Sequence, residues 1–500
     1  MSEEKKEEKM DRRKYIKYVG AGAAVAAAAA IGYSVSELTR PPPPPPPTPT
    51  TVVQTVLKTE TLPGTTIVRT EERTVVTTAS PTPPRVLIRF MCHETDEYTI
   101  KALSEAIEAY EKENPHVKIS FEPVATGYQW SKIMMEYVAG KAPEIATMAA
   151  SFDVLSLLDM GILYPITEIV KTYPIESYFP GTLFARDGEQ YALPFDVNVG
   201  TLFYRRDIFD AYGIKVPETW DELVEAVEKA RIDLDGDGKI DLWPVFPGGR
   251  GMEGVWEYIL GLYWTNGGKI FDDKFNVLLD SPEYLPKMVE ALQVVKKLVE
   301  NSPPGADGWA GWADTISHVK AGKASIFFYH GARPIDALVR ANPTIAEKIA
   351  NVLFPVKKKG DVPHPYGTSD WFVVLKPSVF PEEAVKFLKW FYQSPYWMKF
   401  QTSVPLHFVP ANLEIAKKPE YLNHPIISKY YHIVETILEA AKTSSDFLIE
   451  PGNKVHNPYI AKIRAEMIIP DMFHKYYYGQ MSAEDAIKWA ASELRKIVGK

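Results

Sequence analysis

Carboxylates at alternate positions with glycines between them mark the segment Asp233-Leu-Asp-Gly-Asp-Gly-Lys-Ile-Asp241 as the stretch most suited to holding a cation. Calcium prefers a flexible cage of oxygens, and Asp-x-Asp-x-Asp-Gly supplies them while glycine permits the sharp turn. Asp233, Asp235 and Asp237 would each offer a carboxylate, Lys239 its backbone carbonyl, and Asp241 a ligand acting through water. Pro244 occupies the place where a complete EF-hand carries a bidentate Glu, so the expectation is a structural calcium loop and not an EF-hand. The same letters also write a plain Asp/Gly turn after a helix over Thr219–Arg231.

No other catalytic or cofactor signature stands out. The chain has no nucleophile elbow, phosphate loop, His-Glu-x-x-His or Cys-x-x-Cys, and His93, His318, His330, His364, His407 and His456 lack metal-ligand spacing. Those histidines read as structural, and no cofactor is required. A net charge of −8 argues against a nucleic-acid surface, where a basic patch is expected. Cys92 is the sole cysteine, so no intramolecular disulfide can form. A sugar-binding site needs polar side chains for hydroxyl rims and flat aromatic rings for apolar faces. Paired acids of a carbohydrate-active enzyme would use similar residues, and their separation is spatial, not legible in sequence.

Positioning such groups is the task of the elements after Arg85. Val86–Phe90 reads as a buried strand, Thr99–Glu113 as a helix with Ile100, Leu103, Ala106, Ile107 and Tyr110 at helical spacing, and His116–Glu122 as an alternating second strand. A helix around Trp130–Ala139 and a third strand after Gly140 complete a βαβαβ order, which predicts a parallel sheet flanked by helices. Ligands on such sheets lie beyond the carboxyl ends of the strands. That places His93 and Glu94 after the first strand, and Ser151 and Asp153 after the third, as candidate contacts. Trp256, Trp309, Trp312, Tyr128 and Trp130 are candidate stacking rings that would serve equally as core.

The first 84 residues read as an address and a spacer. Asp-Arg-Arg-Lys-Tyr-Ile-Lys, residues 11–17, resembles a twin-arginine export signal, and an Ala-rich apolar run follows over residues 18–35. Such a helix would rise about 27 Å, marginal for a bilayer core of about 30 Å. Its basic N-terminal flank favours a cytoplasmic start with the rest outside, anchored by an uncleaved helix or released by cleavage. Pro41–Pro47 forms a stiff spacer, and the Thr, Val, Glu and Pro of residues 48–84 carry too little apolar bulk to fold. The linker 36–84 is therefore expected to be a disordered stalk, with a strand pair from the Thr-Val alternation as the alternative.

One stretch carries a family resemblance. Tyr191–Leu223, YALPFDVNVGTLFYRRDIFDAYGIKVPETWDEL, resembles the lobe crossing of the extracytoplasmic solute-binding proteins of ABC transporters, family 1, whose ligands are mostly sugars. Gly140–Ala146, Asp159–Ile166, Thr265–Asp273, Leu279–Glu283, Lys320–Arg333, Lys376–Phe391 and Gly479–Ala490 resemble further segments of that family in the same order. The resemblance implies an α/β, type II periplasmic-binding-protein-like fold with two lobes, each a mostly parallel sheet flanked by helices. The N-lobe would take residues 85–195 and 367–407, and the C-lobe residues 196–366 and 408–500. Asp196 and Asn198 fall in the crossing where relatives place an acidic sugar ligand, Arg333 stands where relatives show a tryptophan, and Asp370 and Trp371 lie at the return crossing. The implied function is capture of a sugar or oligosaccharide by lobe closure and delivery to an ABC permease, with no enzymatic step. A polyamine, phosphorylated polyol or metal as solute is the alternative ligand, and a secreted carbohydrate-active enzyme the alternative class.

Overall fold

The computed structural model describes residues 52–62, 65–75, 85–251, 254–309 and 312–499. The chain divides into two units, Met1–Pro83 and Pro84–Lys500. The export motif at 11–17 and the apolar run at 18–35 lie outside the described residues. Among the described residues, no helix is long and apolar enough to cross a membrane.

Within the first unit, β1 (Val52–Leu62) pairs antiparallel with β2 (Thr65–Val75), Val52 opposite Val75 and Leu62 opposite Thr65. This is the strand pair given above as the alternative to a disordered linker. Alternating Thr and Val are β-branched and favour extended backbone, and the pairing satisfies the backbone groups without any aromatic core.

The larger unit holds two five-stranded sheets. The first lobe contains β3 (Val86–Cys92), β4 (Val117–Pro123) and β5 (Ile145–Met148), with β3 parallel to both neighbours. Helices Glu97–Glu113 and Thr126–Val138 make the crossovers, and Asp96 caps the first by accepting the Tyr98 N–H. After a two-residue hairpin, β6 (Ala185–Arg186) with β7 (Glu189–Gln190), the chain reaches β8 (Leu193–Pro194) and crosses to the second lobe. There β9 (Asn198–Arg205), β10 (Trp243–Val245), β11 (Ala324–His330), β12 (Ile349–Val352) and β13 (Gly367–Thr368) form the second sheet. Returning, β14 (Trp371–Val374) joins the first sheet, which reads β4-β3-β5-β14-β8.

Mostly parallel sheets were expected, and that holds for β3, β4 and β5 and for the β10–β11 pair but not for the other pairings. β14 runs antiparallel to β5 and β8, and β9 antiparallel to β11, β12 and β13, leaving β10–β11 as the parallel pair of the second sheet. The cause is topological. β9 and β14 enter their lobes from the crossings, so they run away from the cleft, whereas β3, β5 and β11 run toward it.

Aromatic packing fills the first core: Phe195, Phe372, Phe391, Trp397 and Phe400 are all buried, with ring centroids 5–6 Å apart. Full burial of each such ring contributes roughly 1.5–3 kcal/mol. In the second lobe the helix Val255–Thr265 is buried on all sides, as its sequence VWEYILGLYWT dictates. The helix Trp220–Lys229 begins with a capping box in which Thr219 and Glu222 satisfy each other's backbone N–H groups. Gly200 of β9 is obligatory for space, because a Cβ there would meet the Phe328 ring at 2.4 Å.

Candidate ligand-binding cleft

Two crossings lie side by side between the lobes. Thr368 pairs with Asn198 and Gly367 with Val199, while Phe195 N–H donates to the Asp370 carbonyl at 2.9 Å. A third segment joins them, since Val197 N–H donates to Val409 O at 2.8 Å and Gln401 Nε2 donates to the carbonyls of Phe195 and Phe408. The peptide polarity of the hinge is thereby satisfied internally, which fixes where its side chains point.

Those side chains form a buried polar cluster. Asp196 Oδ1 accepts the Asp370 N–H at 2.8 Å, and Asn198 Nδ2 donates to Oδ2 of both Asp196 and Asp370 at 3.2 Å. Burial and the neighbouring Asp370 charge push the Asp196 carboxyl well above the usual carboxylate range. His93, directly after β3, receives its orientation from Thr147 of β5, whose Oγ1 accepts the His93 N–H at 2.9 Å and lies 2.7 Å from Nδ1. Its Nε2 faces Glu94 Oε1 at 3.6 Å and Asp370 Oδ1 at 3.7 Å. Burial opposes charge on this ring, but Asp370 and Glu94 outweigh it and raise the His93 pKa. Cys92, just before it, is fully buried with its thiol pushed up to about 12 by burial, so it is no nucleophile.

Contacts across the cleft hold the lobes together. Arg333, opening the helix Arg333–Ala341 after β11, places Nη2 2.7 Å from both oxygens of Glu94. Burial works against the guanidinium charge, and Glu94 more than offsets it. Farther out, the Arg340 guanidinium sits 3.8 Å from the Tyr98 ring centroid and donates to Ser403 O at 3.2 Å. Toward the other end, Arg464 lies between the Phe152 and Trp256 rings, 4.3 and 4.2 Å from their centroids. Ser151 and Asp153 open the helix Ser151–Asp159 in the same region. Burial raises Asp153 to about 7, with Arg464 pulling the other way. Burial also raises Asp446 to about 6, against hydrogen bonds from Ser151 and backbone N–H groups. On the second-lobe wall, His330 Nδ1 lies 2.8 Å from Glu257 Oε2.

Of the ten candidates, His93, Glu94, Asp196, Asn198, Arg333 and Asp370 thus converge on one cluster, and Ser151, Asp153 and Trp256 on a second at Arg464. Trp371 does not reach the cleft. It is 1% exposed, its indole N–H donates to Thr182 O at 2.6 Å, and Phe184 meets it edge-on at 5.4 Å. Strand alternation explains this: Asp370 turns toward the hinge, so the next residue turns into the first lobe's core. Trp312 is buried against Tyr329 and His330, and Trp309 packs on His318. His407, which the sequence reading took as structural, and Thr147, Asp446 and Arg464, which it did not nominate, also belong to these clusters, and no local pattern around them distinguishes them.

In the Asp loop, Asp233 accepts the N–H groups of Gly236 and Gly238 at 2.7 and 2.8 Å, which lowers its pKa. Carboxylate oxygens of Asp233, Asp235 and Asp241 lie within 4.8 Å of one another. Asp237 is instead engaged by Lys239, whose N–H and Nζ both lie 2.8 Å from its oxygens.

Two α/β lobes, paired crossings and a buried polar cluster at the carboxyl ends of β3, β5 and β11 define a two-lobe solute-binding protein. The sequence profile of the bacterial extracellular solute-binding proteins matches residues 96–396, and the chain belongs to that family. A putative binding protein of Brucella abortus (strain 2308) is 25% identical over 356 residues, covering 67% of this chain and 79% of the relative. A solute-binding protein of Thermotoga lettingae TMO, solved with alpha-D-tagatose, gives a TM-score of 0.65 at 20% identity over 83% of this chain and 99% of that one. Maltose-bound MalE3 of T. maritima gives 0.66 at 20% identity over 82% and 100%. At these identities the structural likeness defines the fold.

Proposed function

We propose that this protein captures a sugar or oligosaccharide between its lobes and delivers it to the permease of an ABC importer. The observation that carries the reading is the set of buried polar atoms in the cleft without a hydrogen-bond partner: Asn198 Oδ1, His407 Nδ1 and Trp256 Nε1. Burying such groups unpaired is costly, and a hydroxyl-rich solute both donates and accepts. Tagatose and maltose in the structural relatives fit the same chemistry. Asp196, Asn198, Asp370, Glu94 and His93 would take hydroxyls at the hinge, and Trp256 with Arg464 would present the flat surface.

No enzymatic step is proposed. The Asp196 and Asp370 carboxylates are tied to each other through the Asn198 amide, both Oδ2 atoms accepting from its Nδ2 at 3.2 Å. A polyamine is the second reading, favoured by the excess of carboxylates around the hinge. The apolar run at 18–35 would hold the protein at the outer face of the membrane after twin-arginine export, and the Asp233–Asp241 loop would bind calcium structurally. Calorimetric titration with mono- and oligosaccharides, polyols and polyamines, combined with product analysis, tests the reading. Saturable sugar binding without turnover is expected. Released product would move the protein to the enzyme class, and heat from polyamines alone would replace the solute.

A further inference from the structure

We propose that the hinge holds one divalent transition cation of the Zn2+ type, ligated by Asp196, Asp370 and His407 with the Asn198 carbonyl oxygen beside them. One candidate ligand atom from each of Asp196, Asp370 and His407 lies within 4.8 Å of the others, and all three residues are buried. Ligands about 2.0–2.2 Å from one ion lie at most about 4.4 Å apart, so the set needs only slight contraction.

A second observation is independent of the acids. Asn198 Oδ1 and His407 Nδ1 have no hydrogen-bond partner, in residues 3% and 6% exposed. They border the same small space: a Cβ on Gly331, whose φ is +72°, would lie 2.7 Å from Asn198 Oδ1 and 3.0 Å from His407 Nδ1. With no hydrogen-bond partner on Nδ1, the His407 imidazole has a ring nitrogen whose lone pair can be given to a cation. Mixed imidazole and carboxylate ligands favour zinc-like ions over calcium, which prefers an all-oxygen cage.

The three ligands come from the first crossing, the return crossing and the segment that Val409 ties to the first. A bound ion would therefore join the strands about which the lobes rotate, whatever solute the cleft accepts.

The test strips the full-length protein with chelator and titrates it with Zn2+, Mn2+ and Ca2+ in an Asp235→Ala background, which takes one carboxylate out of the exposed Asp233, Asp235 and Asp241 cluster. One equivalent of Zn2+ should bind, raise Tm, and bind at least tenfold more weakly in His407→Gln and in Asp370→Asn. Co2+ should give the visible absorption of a four- or five-coordinate nitrogen-oxygen site, which needs no variant to fold. Absence of stoichiometric Zn2+ uptake, unaltered affinity in both variants, or a hexaaqua-like Co2+ spectrum would each overturn the proposal. Sugar titration of the stripped protein reads the solute function separately, so either result can fail alone.

Discussion

Glu94→Gln should release the lobes. Arg333 Nη2 is 2.7 Å from both Glu94 oxygens, and the two side chains are 25% and 6% exposed. Breaking a fully buried ion pair costs about 3–5 kcal/mol, and hydrogen bonds to charged groups contribute about 1.5–3. The exposed quarter of Arg333 lets water screen it, which places this contact near about 2 kcal/mol. In the open state both groups regain solvent, so the loss falls on the closed form alone. The closed-to-open ratio should drop roughly thirtyfold. Small-angle scattering of the ligand-free variant should show a larger radius of gyration, and solute Kd should weaken by up to that factor. Arg333→Met should act in the same direction, and the double variant should be little worse than either single change. Unchanged scattering with additive single effects would refute the inference that this pair holds the lobes closed.

Three further outcomes follow from packing and charge. Trp371→Phe removes the N–H that serves Thr182 O and should destabilise the fold by about 1–3 kcal/mol in denaturant melts while leaving solute affinity within about threefold; loss of binding with stability intact would place Trp371 in the site after all. Asp153, raised to about 7, and Asp446, raised to about 6, hold protons in the folded state that the unfolded chain releases from about pH 4 upward. Stability should therefore fall as pH rises from about 4 to 7 and level off above, and Asp153→Asn should flatten that slope; an identical slope in the variant would sink this account. Calcium should raise Tm in the native protein and not in Asp235→Ala, as read by differential scanning fluorimetry with and without chelator.

Much of the frame was legible because it rests on local pattern. The strands read over Val86–Phe90 and His116–Glu122 and the helix over Thr99–Glu113 follow from periodicity, and the structure places their ends within a few residues of those positions. His93, Glu94, Ser151 and Asp153 could be nominated because ligands gather at the carboxyl ends of strands. Partners were harder. His407 and Arg464 lie in ordinary stretches, and only the fold brings them to Asp196 and Phe152, hundreds of residues away. Trp371 failed for a subtler reason: aromatic identity says a ring is wanted, whereas the strand's alternation decides which face receives it. Sheet direction failed similarly, since a chain crossing twice between lobes reverses strands that a βαβ reading would align.

Cys92 gives the molecule an experimental convenience. The chain's only thiol is buried at the end of β3, with its ionised form disfavoured, so alkylating dyes should pass it by. Tyr128 on the first lobe and Tyr212 on the second are 75% and 47% exposed. Cysteines introduced at those two places could carry a donor and an acceptor fluorophore on an otherwise native background. Opening and closing could then be watched one molecule at a time as solute and metal are added.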